Sequence, residues 1–355
     1  MRLSRPAFWA RRNLPARLLW PLSRVFSHLA ERRRRAYRGG AMPVERLPVP
    51  VIVVGNISVG GSGKTPIVAW LAEALRRAGH HPGIISRGFG GSVSAAGGCA
   101  LVTAADDPAR VGDEPVLLRA LCGCPVAVGA KRAQAGRALL AAHPECTVLL
   151  ADDGLQHYAL ARTLEVCVVD GDGLGNGWQL PAGPLREPLS RLEEVDVVLA
   201  HGGWPQAWPA PQRPPVFAFH LRGETLHRLQ DGHTRPLADF AGSRVHAVAG
   251  IGQPERFFAS LRAAGLQVEA YPFPDHHAFC AADLHFADEA PIVMTAKDAV
   301  KCAAFAPAHC WVLPVKAVLE EAAAHLILEK LAYGFPSDGN SGVPAVQGAA
   351  GEAQR

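Results

Sequence analysis

Residues 55–66, GNISVGGSGKTP, constrain this 355-residue chain more than any other segment. They follow the apolar run 49–54 and precede a stretch, 65–78, in which Ile67, Trp70, Leu71 and Leu75 recur at helical spacing. A glycine-rich turn between a buried strand and a helix lets backbone N–H groups close around phosphate oxygens, at a helix end whose dipole favours anions. Gly60, Gly61, Ser62 and Gly63 would form that cradle. Lys64 would reach the β and γ phosphates of a nucleotide, and the Thr65 hydroxyl would hold Mg²⁺. Pro66 falls in the first helical turn, where a missing N–H costs little. The usual pattern has glycine six residues before the lysine; Ser58 stands there, while Gly60, Gly61 and the strand-to-helix setting restore the match.

The surrounding texture is an α/β alternation. Strands are predicted at 82–86, 125–128, 147–151, 164–169 and 195–200, with helices at 114–121 and 130–142. Strands separated by helices imply a parallel sheet covered on both faces, here a P-loop NTPase-type domain over 47–215. Residues 203–215, GWPQAWPAPQRPP, contain five prolines and cannot be regular helix or central strand, so they mark a domain junction. A second, smaller α/β domain is expected over 216–335, with strands near 216–220, 245–249, 268–271, 292–295 and 311–315 and helices at 254–264 and 320–331. The Gly, Ala and Ser-rich residues 336–355 lack an apolar period and read as a disordered tail.

The formal charge of +4 conceals an asymmetry. Residues 1–46 carry twelve Arg against Glu31 and Glu45, a local balance of +10, and the other 309 residues carry 24 basic and 30 acidic groups, a balance of −6. A basic arm on a mildly acidic body does not suit a protein that coats nucleic acid along its length. With 49% hydrophobic and 19% charged residues, the body can bury sizeable cores. The eight cysteines form no CxxC pair and read as reduced, partly buried small hydrophobes.

Within the arm, Leu14, Leu18, Leu22, Val25, Phe26 and Leu29 make an amphipathic stripe flanked by Trp9 and Trp20. Arginines and Pro21 interrupt it too often for a bilayer-spanning helix, which needs roughly 20 apolar residues, and no cleavage site follows it. Three readings remain. One is an interfacial helix whose arginines, including Arg32 to Arg35, meet anionic head groups at about 1 kcal/mol each. The others are a helix packed on its own domain with a solvated charged face, and a nucleic-acid patch.

Two acidic segments suit chemistry on a bound nucleotide. Thr147 to Leu150 leads into Asp152 and Asp153 at a strand's C-terminal edge, where ligands of open parallel sheets bind, so at least one carboxylate is expected at the metal. Neighbouring carboxylates on a strand face opposite ways, so the other can instead cap a turn. Asp113 and Glu114 open a helix; Asp113 can activate an acceptor or merely cap that helix. Glu114 is counted with the metal candidates.

Taken together, GNISVGGSGKTP, SRGFG (86–90), VGDEP (111–115), KR (131–132), DDGLQH (152–157), PAGPLREP (181–188), AGIGQPERFF (249–258), FPDHH (273–277) and TAKDAVK (295–301) resemble the tetraacyldisaccharide 4′-kinases, also called lipid A 4′-kinases. The likeness extends from about residue 8 to 333; where the looser family form of the last motif has Glu, this chain has Ala296. The resemblance implies transfer of the ATP γ-phosphoryl group to the 4′-hydroxyl of a tetraacylated glucosamine disaccharide 1-phosphate, giving lipid IVA. It also implies a peripheral enzyme at the cytoplasmic face of the bacterial inner membrane, with Mg²⁺ as cofactor. Lys64 and Thr65 would belong to the phosphate loop, Asp152 and Asp153 to the magnesium region, and Asp113 with His276 to a catalytic dyad. Gln156, His157, Arg132 and Arg186 would contact phosphate or sugar. His276 lies in the second expected domain, so both domains should share one cleft. No nucleic-acid or obligate protein partner is expected. A regulatory ATPase of the partitioning type also uses a GGxGKT loop, but it carries a lysine where this chain has Val59.

Overall fold

The computed structural model describes residues 6–334. Nine strands form the larger sheet: β1 (Val51–Gly55), β2 (Pro82–Ser86), β3 (Cys99–Val102), β4 (Val126–Gly129), β5 (Val148–Asp152), β6 (Leu164–Asp170), β7 (Val197–His201), β8 (Val216–Arg222) and, from far along the chain, β15 (Lys316–Leu319). Their order is β15-β8-β7-β6-β1-β5-β2-β4-β3, parallel except at the edges, where β3 and β15 pair antiparallel. The six-stranded sheet, ordered β10-β9-β14-β13-β11-β12, uses β9 (Thr225–Arg228), β10 (Thr234–Pro236), β11 (Arg244–Ala249), β12 (Gln267–Pro272), β13 (Ile292–Thr295) and β14 (Cys310–Leu313).

The period-two alternation of β1 sorts its residues onto two faces. Ile52 and Val54 join a core with Ile67, Leu71 and Leu75 of α2 (Lys64–Arg77), while Val51 and Val53 face a second core with Ala135 and Leu139. Two single-turn helices, α3 (Ser92–Ala95) and α4 (Pro108–Val111), precede α5 (Asp113–Cys122), and α6 (Arg132–Ala142) follows β4. The smaller sheet is covered by α7 (Pro254–Ala263) and α8 (Ala296–Cys302).

One boundary differs from the sequence reading. The strand expected to open the second domain at residue 216 is β8, which pairs parallel with β7 in the larger sheet. The chain then builds the smaller sheet and returns through β15 and α9 (Glu321–Gly334), whose Ala323, Ile327 and Leu331 share a core with Ile67 and Leu71. Prolines between 203 and 215 exclude regular structure there, but they carry no information on which sheet the next strand joins. The tail expected at 336–355 lies outside the described residues.

The arm folds as α1 (Leu14–Arg38), started by the Asn13 side chain, which accepts the Ala16 N–H. Its polar face fastens it to the larger unit. Ser23 donates to the Gln179 carbonyl at 2.7 Å, and Arg34 and Arg38 both reach Glu194 at 2.7 Å. The apolar stripe is left outward, with Leu14 69%, Leu18 71%, Leu22 58% and Leu29 57% exposed. This is the reverse of a helix packed by its apolar side. No helix among the described residues is long and apolar enough to cross a membrane.

Candidate active site

The parallel pairing of β1 with β5 sets Val54 beside Asp152, so the phosphate loop leaves one strand where the paired aspartates leave the next. Gly55 is required by contact: a Cβ there would stand 2.6 Å from that of Leu155. Gly63, the residue before α2, has φ +84°, a left-handed turn that aims the first helical N–H groups into the loop. Ser58 is buried and forms an antiparallel bridge with Leu185, while Val59 N–H donates to the Pro184 carbonyl at 2.9 Å. The PAGPLREP segment therefore braces this arm of the loop in an extended form, and a side chain is tolerated where the common pattern has glycine.

Around the loop gather most of the expected residues. Asp153, at φ +46°, faces Lys64 at 3.6 Å and Arg186 at 3.1 Å. Burial works against its charge, but these two cations hold its carboxyl down at about 2. Asp152 is buried and accepts a hydrogen bond from Ser86 Oγ at 3.1 Å. Burial, with the charges of Glu114 and Asp153, pushes Asp152 up to about 7. Gln156 donates to the Asn56 carbonyl at 2.9 Å and receives Arg186 at 3.4 Å. Arg132 is buried, donating to the carbonyls of Gly129 and Asp152, with its Nε unpartnered. His157 is held neutral, at about 4, by burial and by the charges of Arg132, Arg162, Arg33 and Arg87.

The second group is built across the two sheets. Asp113 opens α5 and His276 lies in the loop after β12, at φ +59°; His276 Nδ1 is 2.8 Å from Asp113 Oδ2. The other oxygen, Oδ1, accepts the Glu114 N–H at 2.9 Å. The cap of α5 is Gly112, so Asp113, its first helical residue, is left to make the long-range contact. Glu114 meets Lys297 Nζ at 3.4 Å, and its charge reaches Asp152, which joins this group to the first. The loop after β11 touches the phosphate loop directly, since a Cβ on Gly252 would lie 3.0 Å from Gly61 N.

A family model described as tetraacyldisaccharide-1-P 4′-kinase matches residues 15–332. The chain belongs to that family. A tetraacyldisaccharide 4′-kinase of Aromatoleum aromaticum is 56% identical over 333 residues, covering 94% of this chain and 98% of the relative. One of Azoarcus sp. is 56% identical over 334 residues, covering 93% and 96%. The crystal structure of an LpxK from Aquifex aeolicus, an "apo" form in complex with ATP, is 28% identical with a TM-score of 0.76, over 90% of this chain and 100% of that one.

For a tetraacyldisaccharide 4′-kinase the local charge fits a nucleotide-bound Mg²⁺. Among the described residues no group of three or more His, Cys, Asp and Glu side chains forms a ready metal cage. Mg²⁺ does not need one, because it usually takes one or two carboxylates and completes its shell with waters and substrate phosphates. Asp152 is pushed up first by burial and then by two further carboxylates, with Lys64 and Arg132 offsetting part of the effect, and a divalent ion beside it would favour its charged form. Sequence reasoning assigned nothing to Ser86, Lys297 or Arg256. Ser86 stands in SRGFG and Lys297 in TAKDAVK. Arg256, in AGIGQPERFF, meets Asp170 at 2.9 Å and Asp172 at 2.6 Å and ties α7 to the end of β6.

Proposed function

We propose that this kinase transfers the γ-phosphoryl group of ATP to the 4′-hydroxyl of tetraacyldisaccharide 1-phosphate, with Asp113 receiving the hydroxyl proton. Support comes above all from the 2.8 Å contact between Asp113 and His276, made beside a phosphate loop by segments 163 residues apart. Lys64 and the loop N–H groups bind the nucleotide phosphates. Thr65, Asp152 and Asp153 would hold Mg²⁺, with Glu114 next to them; bound there, the ion neutralises charge on the phosphates. The phosphoryl-transfer transition state spreads charge over the equatorial oxygens, so positioning and cations contribute more than a strong base. Asp113 suits the modest remaining task. Although burial favours its neutral form, His276 and Lys297 keep its carboxyl below the usual range, so it is ionised and ready to accept a proton. Arg132, Arg186, Gln156 and His157 surround the same space and suit sugar or phosphate contacts.

The acceptor's four acyl chains keep it in a bilayer, and α1 suits the surface of one. Its outward leucines and its arginines would lie at the cytoplasmic face of the inner membrane, where the enzyme meets substrate by diffusion in two dimensions. Labelled ATP, Mg²⁺ and tetraacyldisaccharide 1-phosphate in mixed micelles should yield labelled lipid. Absence of that product, or undiminished product with Asp113→Ala, refutes the mechanism. For the membrane contact, Leu18→Asp with Leu22→Asp should release the protein from anionic vesicles while leaving its fold intact; unchanged co-sedimentation rejects it.

A further inference from the structure

Lys297, the second residue of α8, sends its ammonium between the dyad and the metal candidates. Nζ lies 3.1 Å from Asp275 Oδ1, 3.4 Å from Glu114 Oε1 and 3.4 Å from His276 Nε2. Its side chain is only 17% exposed. Burial opposes its charge, yet Glu114, Asp275 and Asp113 raise its pKa and keep it an ammonium.

An ammonium has three N–H donors and no acceptor. Three neighbours stand ready for them, and one is an imidazole nitrogen. A hydrogen bond from Lys297 requires His276 Nε2 to be unprotonated, so the ring proton sits on Nδ1, 2.8 Å from Asp113 Oδ2. The other tautomer would turn an N–H toward the ammonium and set two lone pairs against each other across the Asp113 contact. Its nearest carboxylate outlet, Asp275 Oδ1, is 3.8 Å from Nε2 and already takes the Lys297 hydrogen bond.

We propose that Lys297 is a positioning residue for phosphoryl transfer: it selects the Nδ1–H tautomer of His276, which in turn fixes Asp113 Oδ2 toward the ring. The proposal rests on the reading of Asp113 as the base. Lys297 acts through His276 and touches no reacting atom. By bridging Glu114 of the larger unit and Asp275 of the smaller, it also makes the tautomer depend on the two units being docked.

The test uses the full-length protein in detergent micelles, labelled with ¹⁵N at histidine, with the His276 signals identified by their loss in His276→Gln. The wild-type ring should show a pyridine-like Nε2 and a pyrrole-like Nδ1. In Lys297→Met the pattern should invert or average, and kcat should fall on the order of 10²-fold while KM for ATP stays within about twofold. Lys297→Arg, also donor-only, should recover the wild-type pattern. A purely structural bridge would lower stability without moving the nitrogen signals. A protonated Nε2 in the wild-type protein overturns the proposal, and that reading needs no variant to fold. So does a Lys297→Met enzyme that keeps either the wild-type pattern or the wild-type kcat. Full activity in Asp113→Ala would instead remove the base assignment while the tautomer result stood, so the two failures are distinguishable.

Discussion

The phosphate loop is held mainly by contacts within the larger unit, with Gly252 of the smaller one packed against Gly61, whereas the Asp113–His276 pair is made by the two units together. Around the loop, Ser58 is bridged to Leu185, Asn56 donates to Ser62 Oγ at 3.1 Å, and Asp153 is set by Lys64 and Arg186. Every one of these residues belongs to the larger unit, in its loops or, for Lys64, at the start of α2. The dyad exists only because the loop after β12 reaches over to α5, and its supports, Lys297 to Glu114 and Arg256 to Asp170, also cross between units. The contacts that shape the phosphate loop thus come mainly from the larger unit, and the Asp113–His276 contact needs both. On the proposed reading the loop contacts serve the nucleotide half of the reaction and the cross-unit contact its acceptor half, so ATP binding is expected to survive changes that abolish acceptor activation.

Removing the base should break the acceptor half alone. Asp113→Ala is expected to lower lipid phosphorylation by roughly 10²- to 10⁴-fold while leaving equilibrium ATP binding near wild type. Loss of both together would mean that the two halves are not independent. Arg256→Ala tests the docking itself. It leaves the buried Asp170 with Gln253 at 3.0 Å as its side-chain contact from the smaller unit, beside the Asp172 N–H at 3.3 Å, and should cost about tenfold to 10²-fold in kcat through misplacement of His276, again with ATP affinity retained. A rise in the KM for ATP larger than the fall in kcat would assign Arg256 to the nucleotide instead.

Asp152 sharpens the nucleotide half through stability. Its folded-state pKa of about 7 lies above the ordinary carboxylate value of 3.8, so the unfolded chain releases this proton first and stability falls as pH rises from about 4 to 7. Asp152→Asn removes that cost. The nucleotide-free variant should be more stable than wild type by on the order of 1–3 kcal/mol at pH 8, less so at pH 5.5, and indistinguishable below pH 4, while losing activity. Equal thermal denaturation midpoints at pH 8 would show that the buried carboxylate is already compensated.

The same division decides how much was legible in the sequence. The loop, its strand and its helix are contiguous, so spacing alone placed Lys64, Thr65 and the paired aspartates, and most elements fell within two residues of their expected ends. The dyad was reached only through family resemblance, because nothing local to Asp113 or His276 names a partner 163 residues away. Asp113 is the first residue of α5 and its cap is Gly112, so the capping use is not made, but an Asp at a helix start is common enough to mask the signal. The sheet membership of β8 is not legible in the sequence, because strand pairing is non-local. Lys297 stands in the TAKDAVK motif, but a lone lysine at a helix start has many uses and nothing next to it in the sequence singles it out. On α1 the stripe was legible, but its outward orientation depended on serine and arginine contacts made by the opposite face.

The smallest expected effect concerns Ser58. Among the described residues, positive φ outside glycine occurs only at Asp153 and His276, so Ser58 occupies ordinary backbone space and gains nothing from glycine's extra freedom. Its bridge to Leu185, with Val59 N–H on the Pro184 carbonyl and Arg186 N–H on the Ile57 carbonyl at 2.7 Å, restrains one arm of the loop. Ser58→Gly restores the common motif yet should loosen that arm by roughly 0.5–1 kcal/mol of backbone entropy, which raises the KM for ATP about two- to fivefold. kcat should not move, because the dyad and its supports are untouched. A tenfold fall in kcat would tie the loop's brace to the acceptor half and erase the distinction between the two. A lowered KM would show that the PAGPLREP segment strains the loop rather than pre-forming it.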